Sequence, residues 1–191
     1  MHTALFAHGK PPRERYENPA IPKPHEANWF PWIKRQLTLH GIEADVPALP
    51  QPYHPIFSDW KNTFPHHTIT TETGLVGFSA GSEFLLRLLS EDTAIHAEQL
   101  VVVAPWKDHA DKYGDFSKYN LDHRIIERVG KLTIISALDD SSAIQDNAHH
   151  LAEALPDANL LELPDYGHFM IGNNMKNEEF PELLSVLLGK Q

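Results

Sequence analysis

An α/β architecture, with a mostly parallel sheet covered by helices on both faces, is what this sequence predicts. Three observations lead there. Strand-like and helix-like patterns alternate along the whole chain. The strongest β run, Leu100-Val101-Val102-Val103, is apolar without interruption, which suits a parallel strand buried on both faces. Residues 74–89 read as an apolar strand, a sharp glycine-flanked turn and a helix in direct succession.

The elements follow in order. Thr3-Ala4-Leu5-Phe6-Ala7 is a short buried strand ending at His8-Gly9. Residues 10–27, rich in proline and charge, are expected to be a loop, and a long one for an α/β unit. A helix is expected from Asn28, its candidate cap, through Pro31 in the first turn to Gly41. Residues 42–46 read as a strand, the proline-rich stretch 47–55 as extended chain and residues 56–64 as a short helix. After the unit at 74–89 come a strand at 99–104, a polar and aromatic loop at 105–120 and a helix at 121–129. A buried strand at 131–137, a helix at 144–155, a short strand at 159–163, a loop at 164–168 and a helix at 179–188 complete the chain.

Composition narrows the class. The 191 residues fit one domain, 1–191, and 41% hydrophobic content is enough for a core. A net charge of −10, with no basic cluster beyond Lys34-Arg35, argues against nucleic acid as a partner. The absence of cysteine excludes disulfides, a thiol nucleophile and cysteine-bound zinc. No secretory signal is read at the start, and no apolar run is long enough for a membrane span, so a cytoplasmic protein without a membrane partner is expected.

The chemistry begins at Gly77-Phe78-Ser79-Ala80-Gly81, which fits Gly-x-Ser-x-Gly between a strand and a helix. Such a turn exposes a serine hydroxyl above the sheet, and the helix behind it aims free N–H groups at the same point. A serine needs an imidazole to take its proton, and the imidazole needs a carboxylate to fix its tautomer. Chemically useful groups stand at four strand ends: His8, Ser79, the pair Asp139-Asp140, and His168. The order Ser, Asp, His is that of α/β-hydrolases. His168 stands apart from the other histidines because Gly167-His168-Phe169 follows the last strand in a short loop. For an oxyanion, the backbone N–H groups of Ala80 and Lys10 are the expected donors. His66-His67 and His149-His150 have no third ligand nearby, so neither a metal nor another cofactor is expected. Trp29, Phe30, Trp32 and Trp106 are candidates for a pocket wall or for core packing.

With these residues in place, the chain resembles the small single-domain serine hydrolases related to retinoblastoma-binding protein 9 and its bacterial YdeN-like relatives. The likeness rests on Trp29-Phe30-Pro31-Trp32-Ile33-Lys34, Gly77-Phe78-Ser79-Ala80-Gly81-Ser82, Asp139-Asp140, and Gly167-His168-Phe169 followed by Glu179-Phe180-Pro181-Glu182-Leu183-Leu184. It implies a three-layer α/β-hydrolase fold without a cap domain, and a Ser-Asp-His triad of Ser79, Asp140 and His168. Asp140 is the member of the aspartate pair that matches the family's acid by position. Two departures stand out: the long 10–27 segment replaces a glycine-rich turn, and Ser141 replaces the usual proline after the aspartates. The Leu-x-Cys-x-Glu partner motif of the vertebrate member is excluded, because the chain has no cysteine.

The expected activity is hydrolysis of small carboxylic esters through an acyl-enzyme. An amidase or peptidase would use the same groups. A binding protein on a hydrolase scaffold is the alternative from another class, and the intact Ser-Asp-His set argues against it.

Overall fold

A computed structural model of the chain describes residues 1–190. Six parallel strands form one sheet in the order β2-β1-β3-β4-β5-β6. They are β1 (Thr3–Ala7), β2 (Glu43–Asp45), β3 (Thr73–Phe78), β4 (Gln99–Val103), β5 (Lys131–Ala137) and β6 (Asn159–Leu163). Helices α1 (Arg13–Glu17), α2 (Phe30–Leu39), α3 (Phe57–Thr63), α4 (Ala80–Glu91), α5 (Ile126–Val129), α6 (Ser142–Ala154) and α7 (Pro181–Leu187) connect or close them. A small pair, β7 (Met170–Ile171) and β8 (Asn174–Met175), lies outside the main sheet.

Successive strand residues point to opposite faces, so each apolar strand feeds two cores. On one face Leu5, Leu75, Leu100, Val102, Leu132 and Ile134 pack with Trp60 of α3, Phe84 and Leu88 of α4 and Leu151 of α6. On the other, Phe6, Val76, Val101, Val103 and Ile135 pack with Ile33 and Leu37 of α2 and Leu183 of α7. This explains the uninterrupted apolar runs, since neither face of a central strand meets water.

The strand order places the site. From β1 the chain moves outward to β2, then returns past β1 to β3. The connections leaving β1 and β3 therefore diverge at their carboxyl ends, and a crevice opens between them. No cap domain is inserted over the sheet; the long connections at 8–29 and 104–125 carry only short helical pieces or turns.

Three expectations need correction. Residues 10–27 hold α1 and a 3-10 turn at Pro24–Glu26 rather than plain loop. Arg13 and Glu17, one turn apart at 2.7 Å, support that first helix. Asn28 does not cap α2: it adopts φ 55, and its Oδ1 accepts the distant N–H of Ile171 at 3.3 Å. Only Ile126–Val129 of the expected 121–129 helix is helical. There Asp122 Oδ1 accepts the N–H of Arg124, an Asx turn that competes with helix formation.

Candidate active site

Ser79 sits between β3 and α4 at φ 53 and ψ −117, a conformation that a non-glycine residue rarely adopts. Backbone bonds on both sides hold it there. Its N–H donates to the Val103 carbonyl at 2.9 Å, and its carbonyl accepts the N–H of Ser82 at 3.0 Å. The Ser82 hydroxyl lies 2.8 Å from the Gly77 carbonyl and ties helix to strand.

Both motif glycines are required by space rather than by φ. A Cβ on Gly81 would stand 2.0 Å from the Ala7 carbonyl oxygen, and one on Gly77 would stand 2.5 Å from the Ser82 Cα. The helix thus rests directly on the end of β1.

Around Ser79 the sheet brings two of the other expected groups into contact. His168 Nε2 lies 3.1 Å from Ser79 Oγ, and His168 Nδ1 lies 2.8 Å from Asp140 Oδ2. A carboxylate only accepts, so Nδ1 carries the proton and Nε2 is left to accept from the serine hydroxyl. The Asp140 side chain is almost fully buried, while His168 keeps about a fifth of its surface open. Asp140 Oδ1 also accepts the N–H of Ser141 at 2.7 Å. The imidazole packs against the Phe78 ring, with centroids 5.5 Å apart. Phe169, wholly buried, anchors the loop by stacking on Tyr166 at 5.4 Å.

Asp139 faces elsewhere. Its Oδ1 accepts the N–H groups of Tyr166 and Gly167, at 3.1 and 2.8 Å, and its Oδ2 accepts from Asn174 Nδ2 at 2.8 Å. Desolvation acts to raise its pKa, but these donors, Asn174 foremost, outweigh it and hold the carboxyl below the usual range.

Lys10 follows β1 on the segment that touches the Ser79 turn, where a Cβ built on Gly9 would lie 3.2 Å from the Ser79 Cβ. Ala80 is the first residue of α4, whose first-turn N–H groups lack intrahelical partners. His8 is not part of the reactive group. Its Nε2 accepts the N–H of Leu49 at 3.1 Å and its Nδ1 donates to the Gly9 carbonyl at 3.0 Å, so it is neutral and structural. Burial lowers its pKa to about 4.

Ser79 and His168 open onto a cleft that Tyr16, Phe30, Phe78 and Met170 also line. Of the four aromatic candidates only Phe30 lines it; Trp29 is wholly buried in the core, and Trp106 borders a separate cavity. Sequence reading missed three neighbours: Arg15 and Tyr16 of α1 in the cleft wall, and Asn174 behind the His168 loop. It also missed Glu83 on α4, buried with its Oε1 unpartnered and its pKa raised by burial to about 7. A charged residue inside an apolar helix pattern was the available signal. Among the described residues, no three His, Cys, Asp or Glu side chains converge as a metal site, and no helix is long and apolar enough to cross a membrane.

Comparison with known proteins places the chain in a family. The model of the family described as Serine hydrolase matches residues 21–187. The chain belongs to the serine hydrolase family. The YdeN protein of Bacillus subtilis (strain 168) is 30% identical over 151 residues, covering 75% of this chain and 78% of that one. The crystal structure of the B. subtilis ydeN gene product superposes with a TM-score of 0.80 at 25% identity, covering 99% of this chain and 98% of that one. More distant structures share the α/β-hydrolase fold. Mouse alpha/beta hydrolase domain-containing protein 10 matches with a TM-score of 0.64 at 11% identity, over 98% of this chain and 88% of its own. XC6422 of Xanthomonas campestris, described as a serine hydrolase without lid, matches with a TM-score of 0.56 at 16% identity, over 91% and 75%.

Proposed function

We propose that this serine hydrolase cleaves small carboxylic esters with Ser79 as nucleophile, His168 as general base and acid, and Asp140 as the orienting carboxylate. One observation carries the reading: the His168 ring bridges Ser79 Oγ at 3.1 Å and Asp140 Oδ2 at 2.8 Å, with its tautomer set by the carboxylate. Ser79 Oγ attacks the ester carbonyl carbon while its proton passes to His168 Nε2. The carbonyl oxygen becomes an oxyanion, met by the backbone N–H groups of Ala80 and Lys10. The tetrahedral intermediate collapses as His168 returns the proton to the departing alcohol. A water, deprotonated by the same nitrogen, then attacks the acyl-Ser79 ester, and collapse restores the serine and releases the acid.

An amide would pass through the same steps, with an amine as the leaving group. The test combines fluorophosphonate labelling with hydrolysis of activated esters and amides. The wild type is expected to be labelled and to turn over esters. Ser79→Ala is expected to escape labelling and lose about 10⁴-fold or more in kcat. An unlabelled wild type that hydrolyses no ester would overturn the proposal.

A further inference from the structure

The residues lining the cleft around Ser79 and His168 include two cations, Lys10 and Arg15, and no carboxylate. This is an unusual balance in a chain of net charge −10. The two cations are held differently. Lys10 Nζ lies over the rings of Tyr113 and Trp106, 4.7 and 5.6 Å from their centroids, so aromatic faces engage its charge.

Arg15 has nothing comparable. Arg13, Arg35, Arg87, Arg124 and Arg128 each pair with a carboxylate at 2.6–3.2 Å. Among the described residues Arg15 alone of the six arginines has no ion pair, and its side chain makes no hydrogen bond. It is also the one arginine that lines the cleft, where it is half-buried. A guanidinium offers five donors in a planar fork matched to a carboxylate, and partial burial strengthens any bond it forms there. The wall beside it is preset: Pro11, Pro12, Pro22 and Pro24 restrict the backbone that carries and faces α1. Asn28, tied to Ile171 through its Oδ1, has its amide N–H₂ left to donate at the same wall.

We infer that the substrate is a small ester or amide bearing a second, ionised carboxyl group, and that Arg15 binds this group while Ser79 attacks the neutral carbonyl. The inference rests on the hydrolase reading given above and names its substrate class. The ionised group sits on either the acyl part or the alcohol part, and matched substrates separate the two.

One pair is p-nitrophenyl butyrate against mono-p-nitrophenyl glutarate, with the charge on the acyl side. The other is phenyl acetate against 3-acetoxybenzoate, with the charge on the alcohol side. Background hydrolysis, including attack by the substrate's own carboxylate, is subtracted. In at least one pair kcat/KM is expected to favour the anionic ester about tenfold or more, mainly through KM, as a charge-assisted pair implies. Raising the salt concentration is expected to shrink that ratio. Arg15→Gln is expected to bring it close to one, and Arg15→Lys to restore part of it. Arg124→Gln, at an exposed pair with Glu127, serves as the control and is expected to keep the wild-type ratio. Neutral esters hydrolysed with no anionic preference in either pair would overturn the inference and leave the hydrolase reading standing. A preference that survives Arg15→Gln would also overturn it. Absence of both labelling and hydrolysis would remove both.

Discussion

Asp139 holds the backbone of Gly167, its Oδ1 accepting that N–H at 2.8 Å, one residue before His168. Its neighbour Asp140 reaches the His168 ring itself. Adjacent carboxylates thus divide one task, the first fixing the loop and the second fixing the imidazole. Asp140→Asn is expected to leave the shape intact and hold the imidazole in the wrong tautomer, with a loss of about 10⁴-fold in kcat. Asp139→Asn is expected to lower kcat less than about tenfold and to reduce stability by about 1 kcal/mol, through weaker bonds to Tyr166, Gly167 and Asn174. Steady-state kinetics and urea melts on both variants check this. The reverse ranking would make Asp139 the orienting acid.

Gly81→Ala is expected to be more damaging than its size suggests. The added methyl would stand 2.0 Å from the Ala7 carbonyl oxygen, so helix and strand must separate. A loss of about 3 kcal/mol is expected, at the upper end for overpacking. A urea midpoint equal to that of the wild type would contradict this.

Acyl length provides a third test. No cap domain covers the cleft, so a long chain finds little apolar wall beyond Phe30, Phe78 and Met170 near Ser79. Each methylene buried would add about 0.8 kcal/mol of binding, and that gain is expected to stop after a short acyl group. Specificity measured across p-nitrophenyl esters from acetyl to palmitoyl is expected to peak early. A steady rise to palmitoyl would show that an apolar channel exists.

Glu83 and His8 set opposing pH dependences. Burial raises the Glu83 carboxyl from 4.5 to about 7. The folded chain therefore binds the extra proton between those values, and the associated stability is fully present below pH 4.5 and lost as pH rises through 7. His8 is lowered from 6.5 to about 4, so its share is present above pH 6.5 and lost as pH falls through 4. Each shift corresponds to about 3 kcal/mol, of opposite sign in overlapping ranges. Glu83→Gln is expected to match the wild type at pH 4 and exceed it by up to about 3 kcal/mol at pH 8. Chemical denaturation at the two pH values measures the difference, and a gap independent of pH would refute the assignment.

The centre of the sheet was legible because β3, β4 and β5 are apolar on both faces. The expected strands at 131–137 and 159–163 coincide with Lys131–Ala137 and Asn159–Leu163. The nucleophile turn was legible because strand, glycines and helix are contiguous in sequence. Other features depend on distant partners. Asn28 resembles a cap locally, but a bond to Ile171 draws it into another role. The 121–129 pattern is apolar at helical spacing, yet the Asp122 side chain turns the chain before Ile126. α1 carries no apolar periodicity, and Arg15 is notable only for the partner it lacks. Which aspartate meets the imidazole depends on how β5 and the His168 loop sit together, and neither stretch encodes that alone.

The strand order also fixes when this protein can begin to work as it is made. β1 pairs with β2 on one side and with β3 on the other, Ala7 opposite Gly77, so the earliest strand keeps an open edge until β3 emerges. Ser79 then waits for His168, 89 positions later, and for the loop that Asp139 holds. Every pairing that completes the site is long-range in the chain, the kind that forms late and slowly. A nascent chain stalled before His168 has the residues of the proposed nucleophile turn and lacks the proposed proton acceptor. On refolding, the helical signal is expected to return before catalytic turnover does.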